Sequence, residues 1–200
     1  QWNLLRYDRN SRTYQMLHSI CYFILQNQLL STEQGNTKMP HFSDEHMNLL
    51  FQRFVMEYYK KHHPEYKPTA KQIKWNFCEE NSNYSAMLPI MQSDITLSLG
   101  ERTLIIDTKY YSKNLQEHYG KHIIHSPNFY QIHTYVMNED REHIGNVDGM
   151  LLYARTTNDI QSIGDFHTND GNVLMVRTLD LAQDFEGIKN DLDLLVSHKV

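Results

Sequence analysis

Cysteine is scarce in this chain: Cys21 and Cys78 are the only two among 200 residues. They form no close pair and sit in no zinc-knuckle spacing, so neither a disulfide framework nor a structural zinc site is expected to organise the fold. Reduced thiols in a cytoplasmic protein are the expectation. Glycine is sparse as well, at 8 residues. There is no internal repeat and no low-complexity segment. No apolar run approaches the ~20 residues of a membrane-spanning helix, and no signal peptide is visible, so no membrane partner is expected. Positive charge is not in excess either: 19 Lys and Arg stand against 24 Asp and Glu, a formal net charge of −5. A free-standing, high-affinity nucleic-acid binder usually carries a basic footprint, which is missing here. That leaves room for an enzyme delivered to nucleic acid by a partner. No P-loop is present, so nucleotide hydrolysis does not belong to this chain. The 12 histidines include no HExxH spacing; the pairs His62-His63 and His122/His125 read as loop histidines.

The length suits one domain with a sizeable core and a helical extension. The chain opens on Gln1 rather than Met, which reads as a piece of something longer. Residues 11–29 have helical apolar spacing behind a Ser11 cap, and a polar loop with Gly35 and Pro40 follows. A second helix starts at a Ser43 cap, presents Leu50, Phe51, Phe54, Val55 and Tyr58 on one face, and ends in Lys60, Lys61, His62 and His63 before Pro64. Lys71 to Phe77 alternates like a strand. Then come a hairpin, a long polar loop (Ser112 to Pro127), a helix over NFYQIHTYVMN, and strands in GMLLYAR and NVLMVRTLD with a Gly/Asp/Asn-rich connection between them. A last helix runs from about Gln183 to Leu195. The order predicts an α/β fold, a mixed sheet flanked by helices, with residues 1–42 as extension and linker and 43–200 as the main domain.

The hairpin, MQSDITLSLGERTLIIDTKYY over 91–111, carries charged residues where a strand is normally apolar. Gly100-Glu101 suits a two-residue type II′ turn. That register sets Leu99 against Arg102, Ser98 against Thr103, and Asp94 against Asp107. Directly opposed residues share a face with Cβ atoms about 5 Å apart, and the period of two puts Lys109 on that face too. Leu104 and Ile106 then point to a core on the other side. Two carboxylates at that spacing repel by about 3 kcal/mol at an effective dielectric of about 20. Protonation of one acid relieves this, and so does a cation between them. Mg²⁺ commonly takes one or two carboxylates with waters and substrate phosphate, and with a lysine beside it such a set suits phosphodiester hydrolysis. The pattern D-x-K also arises by chance as a solvated pair, and a register slip of one residue would turn Asp94 to the opposite face.

Two later positions remain open on spacing alone. Gln52 and Glu57 of the second helix are candidates for a third acid or amide at the site, although Glu57 equally fits a solvated helix surface. Gln131 and Tyr135 lie four apart on one helix face; they can touch a phosphate or the lysine, or Tyr135 can pack in the core with Gln131 at its rim.

An acid at a strand start, a strand ending D-T-K and a helix with Y-Q-x-x-x-Y resemble the PD-(D/E)XK nuclease pattern. More specifically, LLFQRFVMEYY, IKWNF, LPIMQSDITL, LIIDTKYY, HSPNFYQIHTYV and VRTLDLAQDFEGI occur in the order found in the nuclease region of the McrC family, the cleavage subunits of McrBC 5-methylcytosine-dependent restriction systems. The resemblance spans residue 5 or so to the end. It implies a bacterial or archaeal DNA endonuclease of restriction-endonuclease-like fold. Asp94 and Asp107 would be ligands to Mg²⁺ (or Mn²⁺), with the Thr108 carbonyl. Lys109 would position the attacking water, and Gln131, with Tyr130 beside it, would be the helix motif. Glu57 would be the helix acid. The chain departs from the pattern at Gln52, where many relatives carry Glu, and at Ser93, where the first motif usually has Pro. The implied partners are double-stranded DNA containing modified cytosine and a McrB-like AAA+ GTPase ring, which relatives join through an N-terminal part that would lie upstream of Gln1. A repair or RNA-processing nuclease of the same fold, or a non-catalytic scaffold that stimulates a partner AAA+ GTPase, are the competing readings.

Overall fold

The computed structural model describes residues 44–77, 86–110, 116–118, 121–155 and 164–197. The helix expected over 11–29, the boundary at 42/43 and both cysteines lie outside these residues.

Helix α1 (Asp44–His62) is followed by a 3-10 turn at Pro64–Tyr66, where proline blocks helical continuation. Short strands β1 (Gln72–Ile73) and β2 (Met91–Gln92) pair with each other, and β3 (Ile95–Leu99) and β4 (Arg102–Lys109) form the hairpin. A two-stranded ribbon, β5 (Gln116–His118) with β6 (Lys121–Ile123), leads to α2 (Ser126–Glu139). Strands β7 (Val147–Ala154), β8 (Gly164–His167) and β9 (Val173–Leu179) and helix α3 (Phe185–Ser197) complete the order.

The main sheet runs β3-β4-β7-β9-β8, with antiparallel pairing at both edges and parallel pairing of β4, β7 and β9. The α/β fold with a mixed, helix-flanked sheet is therefore as expected. Every residue of β7 is buried, which is what a central parallel strand covered on both faces requires. Leu104, Ile106, Met150 and Leu152 point to one face, against Phe51 and Val55 of α1 and Leu192 and Val196 of α3. Ile105, Leu151 and Val176 point to the other, against Ile132, Tyr135 and Val136 of α2. Gly149 sets how close α2 can come. A Cβ there would lie 2.7 and 2.8 Å from side-chain atoms of Val136 and Ile132, so the bare backbone lets the helix settle onto β7.

Three expectations are corrected. The strand read over Lys71 to Phe77 pairs only at Gln72–Ile73. The polar loop from Ser112 holds the β5–β6 ribbon. The Gly/Asp/Asn-rich connection contains the edge strand β8, whose last three residues are exposed.

The helices α1 and α3 are tied through Asp193. Its Oδ1 accepts from Tyr58 Oη and lies 2.6 Å from His63 Nε2, while Oδ2 is 3.1 Å from Lys189 Nζ. Burial opposes ionisation, but the bonds from Tyr58, His63 and Lys189 outweigh it and hold the carboxyl at about 2. A carboxyl depressed below its unfolded value of about 3.9 stabilises the fold above that pH and ceases to as pH falls towards 2. Solvent reaches 31% of this side chain, so screening limits the effect to about 1 kcal/mol. Asp193→Asn is expected to lower the thermal midpoint at pH 7 by a few degrees and to match wild type near pH 2, as followed by circular dichroism.

Candidate active site

The turn at Gly100 fixes everything that follows. Gly100 has φ +63° and Glu101 does not share the positive sign, as a type II′ turn demands. The ladder from Leu99↔Arg102 to Ile95↔Ile106 is the predicted register. One step further, β3 ends while β4 continues, so the next β4 backbone N–H needs another acceptor. Asp94 supplies it: its Oδ2 accepts from Thr108 N and from Thr108 Oγ1, both at 2.8 Å. The half-buried Asp94 carboxylate is thus held at the end of the hairpin by the residue between Asp107 and Lys109.

Asp107 and Lys109 share the face of Ile105, beneath α2. Asp107 is buried, at 2% exposure. Its Oδ2 lies 2.7 Å from Lys109 Nζ, an ion pair held in a largely buried site. Burial raises the Asp107 carboxyl to about 6; Lys109 opposes the rise and the negative charge of Asp94 adds to it. From α2, Gln131 Oε1 accepts from Lys109 Nζ at 3.3 Å, and Gln131 Nε2 donates to Tyr135 Oη at 2.8 Å. Asp107, Lys109, Gln131 and Tyr135 therefore form one connected cluster beneath α2; Asp94 is not paired with Asp107 in the ladder, since its carboxylate turns to Thr108, but its charge lies near enough to act on Asp107. Asp94 and Asp107 are the only carboxylates at the site: among the described residues no three His, Cys, Asp or Glu side chains are grouped to hold a metal.

Glu57 is not brought to this cluster. Helix α1 packs on the opposite face of the sheet and reaches the site only at its edge, where Asn48 Oδ1 accepts from Tyr110 N at 2.6 Å. Nine positions separate Asn48 from Glu57, which at about 100° per residue sets them on opposite sides of the helix. Glu57 is exposed and pairs with Lys60 at 2.9 Å. Gln52, one turn after Asn48, is on the side that faces the end of β4, but it carries no acid. Two contacts escaped the sequence reading. The clamp of Thr108 on Asp94 depends on β3 stopping one step before β4, and nothing in the sequence marked Asn48.

The cluster fits a hard divalent cation. A buried carboxylate whose pKa is raised by burial and by the charge of a second acid, together with an all-oxygen donor set, matches Mg²⁺ or Mn²⁺ better than a soft or nitrogen-seeking metal.

Comparison with known proteins gives a consistent picture. The family model described as "McrBC 5-methylcytosine restriction system component" matches residues 1–154. The chain is 26% identical over 193 residues to the "Type IV methyl-directed restriction enzyme EcoKMcrBC" of Escherichia coli K12, covering 96% of this chain and 55% of that protein. The chain thus spans about half the length of this curated relative. A chain in a solved half-complex from a tetradecameric assembly of Thermococcus gammatolerans McrB AAA+ hexamers with bound McrC shares the fold. The TM-score is 0.51 at 18% identity, covering 74% of this chain and 32% of that one. Among the described residues, no helix is long and apolar enough to cross a membrane.

Proposed function

The chain belongs to the family of McrBC 5-methylcytosine restriction system components, and from that premise we propose that it is the DNA-cleaving part of such a system, a divalent-cation-dependent endonuclease acting on duplexes with modified cytosine. The observation that carries this reading is the buried Asp107 carboxylate, 2.7 Å from Lys109 Nζ and next to the charge of Asp94. A fold does not retain a buried acid with a raised pKa for stability; such groups gather where chemistry is done.

Asp94 and Asp107, with the Thr108 carbonyl, are the residues that would hold Mg²⁺ or Mn²⁺. When bound, the cation supplies neutralisation of phosphate charge and activation of the attacking water. Lys109 is held between Asp107 and Gln131. From there its ammonium orients the water and stabilises the charge that builds on the phosphate oxygens. Gln131 sets where that ammonium points, and Tyr135 fixes the Gln131 amide. Glu57, exposed on the far side of α1, takes no part.

The related assembly contains McrB AAA+ hexamers with bound McrC. By that likeness, this chain works docked on a McrB-like GTPase ring, which supplies the DNA grip and the recognition of modified bases. A net charge of −5 accords with a nuclease that does not hold duplex DNA alone. The full-length subunit with its ring partner should cut methylated duplexes in the presence of GTP and Mg²⁺ and leave unmethylated ones intact. Cleavage indifferent to methylation and to GTP would assign the nuclease to repair or RNA processing instead.

A further inference from the structure

Hydroxyl groups bracket Asp94 on both sides. Before it stands Ser93, which is 1% exposed. Ser93 Oγ accepts from Lys71 N at 2.9 Å, donates to Lys71 O at 3.1 Å and lies 2.8 Å from Thr96 Oγ1. A hydroxyl has one proton and two lone pairs, so these three partners saturate it. Ser93 N also donates to Lys71 O at 3.0 Å, and Thr96 exchanges backbone bonds with Thr69 at 2.7 and 3.1 Å. The backbone that carries Asp94 is therefore fixed by the residues just before β1. The freedom that remains is rotation of the Asp94 side chain.

Thr108 removes that freedom. Its backbone N–H and its hydroxyl both donate to Asp94 Oδ2, each at 2.8 Å. Two donors on one oxygen hold the carboxylate in one orientation and leave Oδ1 for another partner. The backbone bond alone would close the ladder where β3 stops, so the hydroxyl is the part that the local structure does not demand. Side chains alternate along β4, and Thr108 shares the side of Leu104 and Ile106, which pack on α1 and α3. Thr108 is buried, at 3% exposure, and at such a strand position packing alone favours Val or Ile. A buried hydroxyl costs about 1–3 kcal/mol unless it is bonded, and the bond here goes to Asp94.

We propose that the Thr108 hydroxyl is a positioning group for the divalent cation: by holding Asp94 Oδ2 it presents Oδ1 as a single, directed ligand atom. The proposal rests on the metal-dependent reading above and adds a residue to it. Ligating carboxylates are themselves held by hydrogen bonds, and loss of such a partner lowers metal affinity by about 10–100-fold. The site then has two such supports. Gln131 fixes Lys109 from α2, and Thr108 fixes Asp94 from within β4.

The test is Mn²⁺ binding by the full chain without DNA, read from the loss of the free-ion electron paramagnetic resonance signal. Thr108→Val and Thr108→Ala both lack the hydroxyl; the first keeps the β-branched shape and the second leaves space. Both should bind Mn²⁺ about tenfold more weakly than wild type, and Thr108→Ser, which keeps the hydroxyl, should bind as wild type does. Thermal melts without metal give the folded fraction of each variant, to which the affinities refer. Wild-type affinity in Thr108→Val would overturn the proposal. Weak binding confined to Thr108→Ala would overturn it too, because that is a packing defect, and so would failure of Thr108→Ser to restore binding. Wild type that binds no Mn²⁺ would overturn it together with the metal reading of the site, whereas the other outcomes overturn it alone.

Discussion

Asp107→Asn is expected to abolish DNA cleavage and, at the same time, to stabilise the metal-free protein at pH 8. The fold raises this carboxyl from 3.8 to about 6, so it favours the protonated form. A group whose folded pKa lies above its unfolded one leaves stability full below about pH 4 and erodes it as pH rises to about 6, with no further change above. The rise is worth ~3 kcal/mol. Asn keeps the shape without the charge, but it also removes the counter-charge of Lys109, whose side chain is only 13% exposed. The net gain is therefore about 1–2 kcal/mol, or several degrees for a domain of this size. Mg²⁺ should raise the melting temperature of wild type and raise that of Asp107→Asn far less, because the variant keeps Asp94 but has lost the buried acid whose charge the cation would neutralise. Thermal melts from pH 4 to pH 8, with and without Mg²⁺, read both effects. A wild-type midpoint insensitive to Mg²⁺ would count against a cation at this cluster.

Lys109→Met is expected to lower cleavage by roughly 10²–10⁴-fold, the range for a group acting on the transition state. DNA binding should change little. The loss has a second signature. Lys109 opposes the raised pKa of Asp107, so without it the carboxyl rises further. The pH at which Mg²⁺ begins to stabilise the protein should then move upward. Single-turnover cleavage and the pH dependence of the Mg²⁺-induced melting shift check the two outcomes separately. A variant that cleaves at the wild-type rate would remove Lys109 from the chemistry.

The hairpin was legible because turn chemistry is local. Gly100 and Glu101 fixed the register, the period of two then brought Asp107 and Lys109 together, and Leu104 and Ile106 face the core as the alternation required. The helix bearing Gln131 and Tyr135 was legible by its 3.6-residue spacing; of the alternatives that spacing left open, Gln131 touches Lys109, while Tyr135 is buried in the core and bonds Gln131 rather than the lysine. Glu57 was misplaced because helical periodicity gives a face but not the side of the sheet on which the helix packs. Strand β8 was missed because an edge strand of four residues with polar, exposed positions carries no apolar alternation. The clamp of Thr108 on Asp94 depends on where one strand stops relative to its neighbour, which only the paired backbones reveal.

The measurement that bears most directly on the account is cleavage of a methylated duplex by the full-length subunit with its GTPase partner, with GTP and Mg²⁺, comparing wild type with Asp107→Asn. The account predicts cleavage by wild type, none with EDTA, and none by Asp107→Asn although the variant still assembles with the partner. Cleavage that survives the substitution would mean that the Asp94–Asp107–Lys109 cluster is not where the phosphodiester bond is broken.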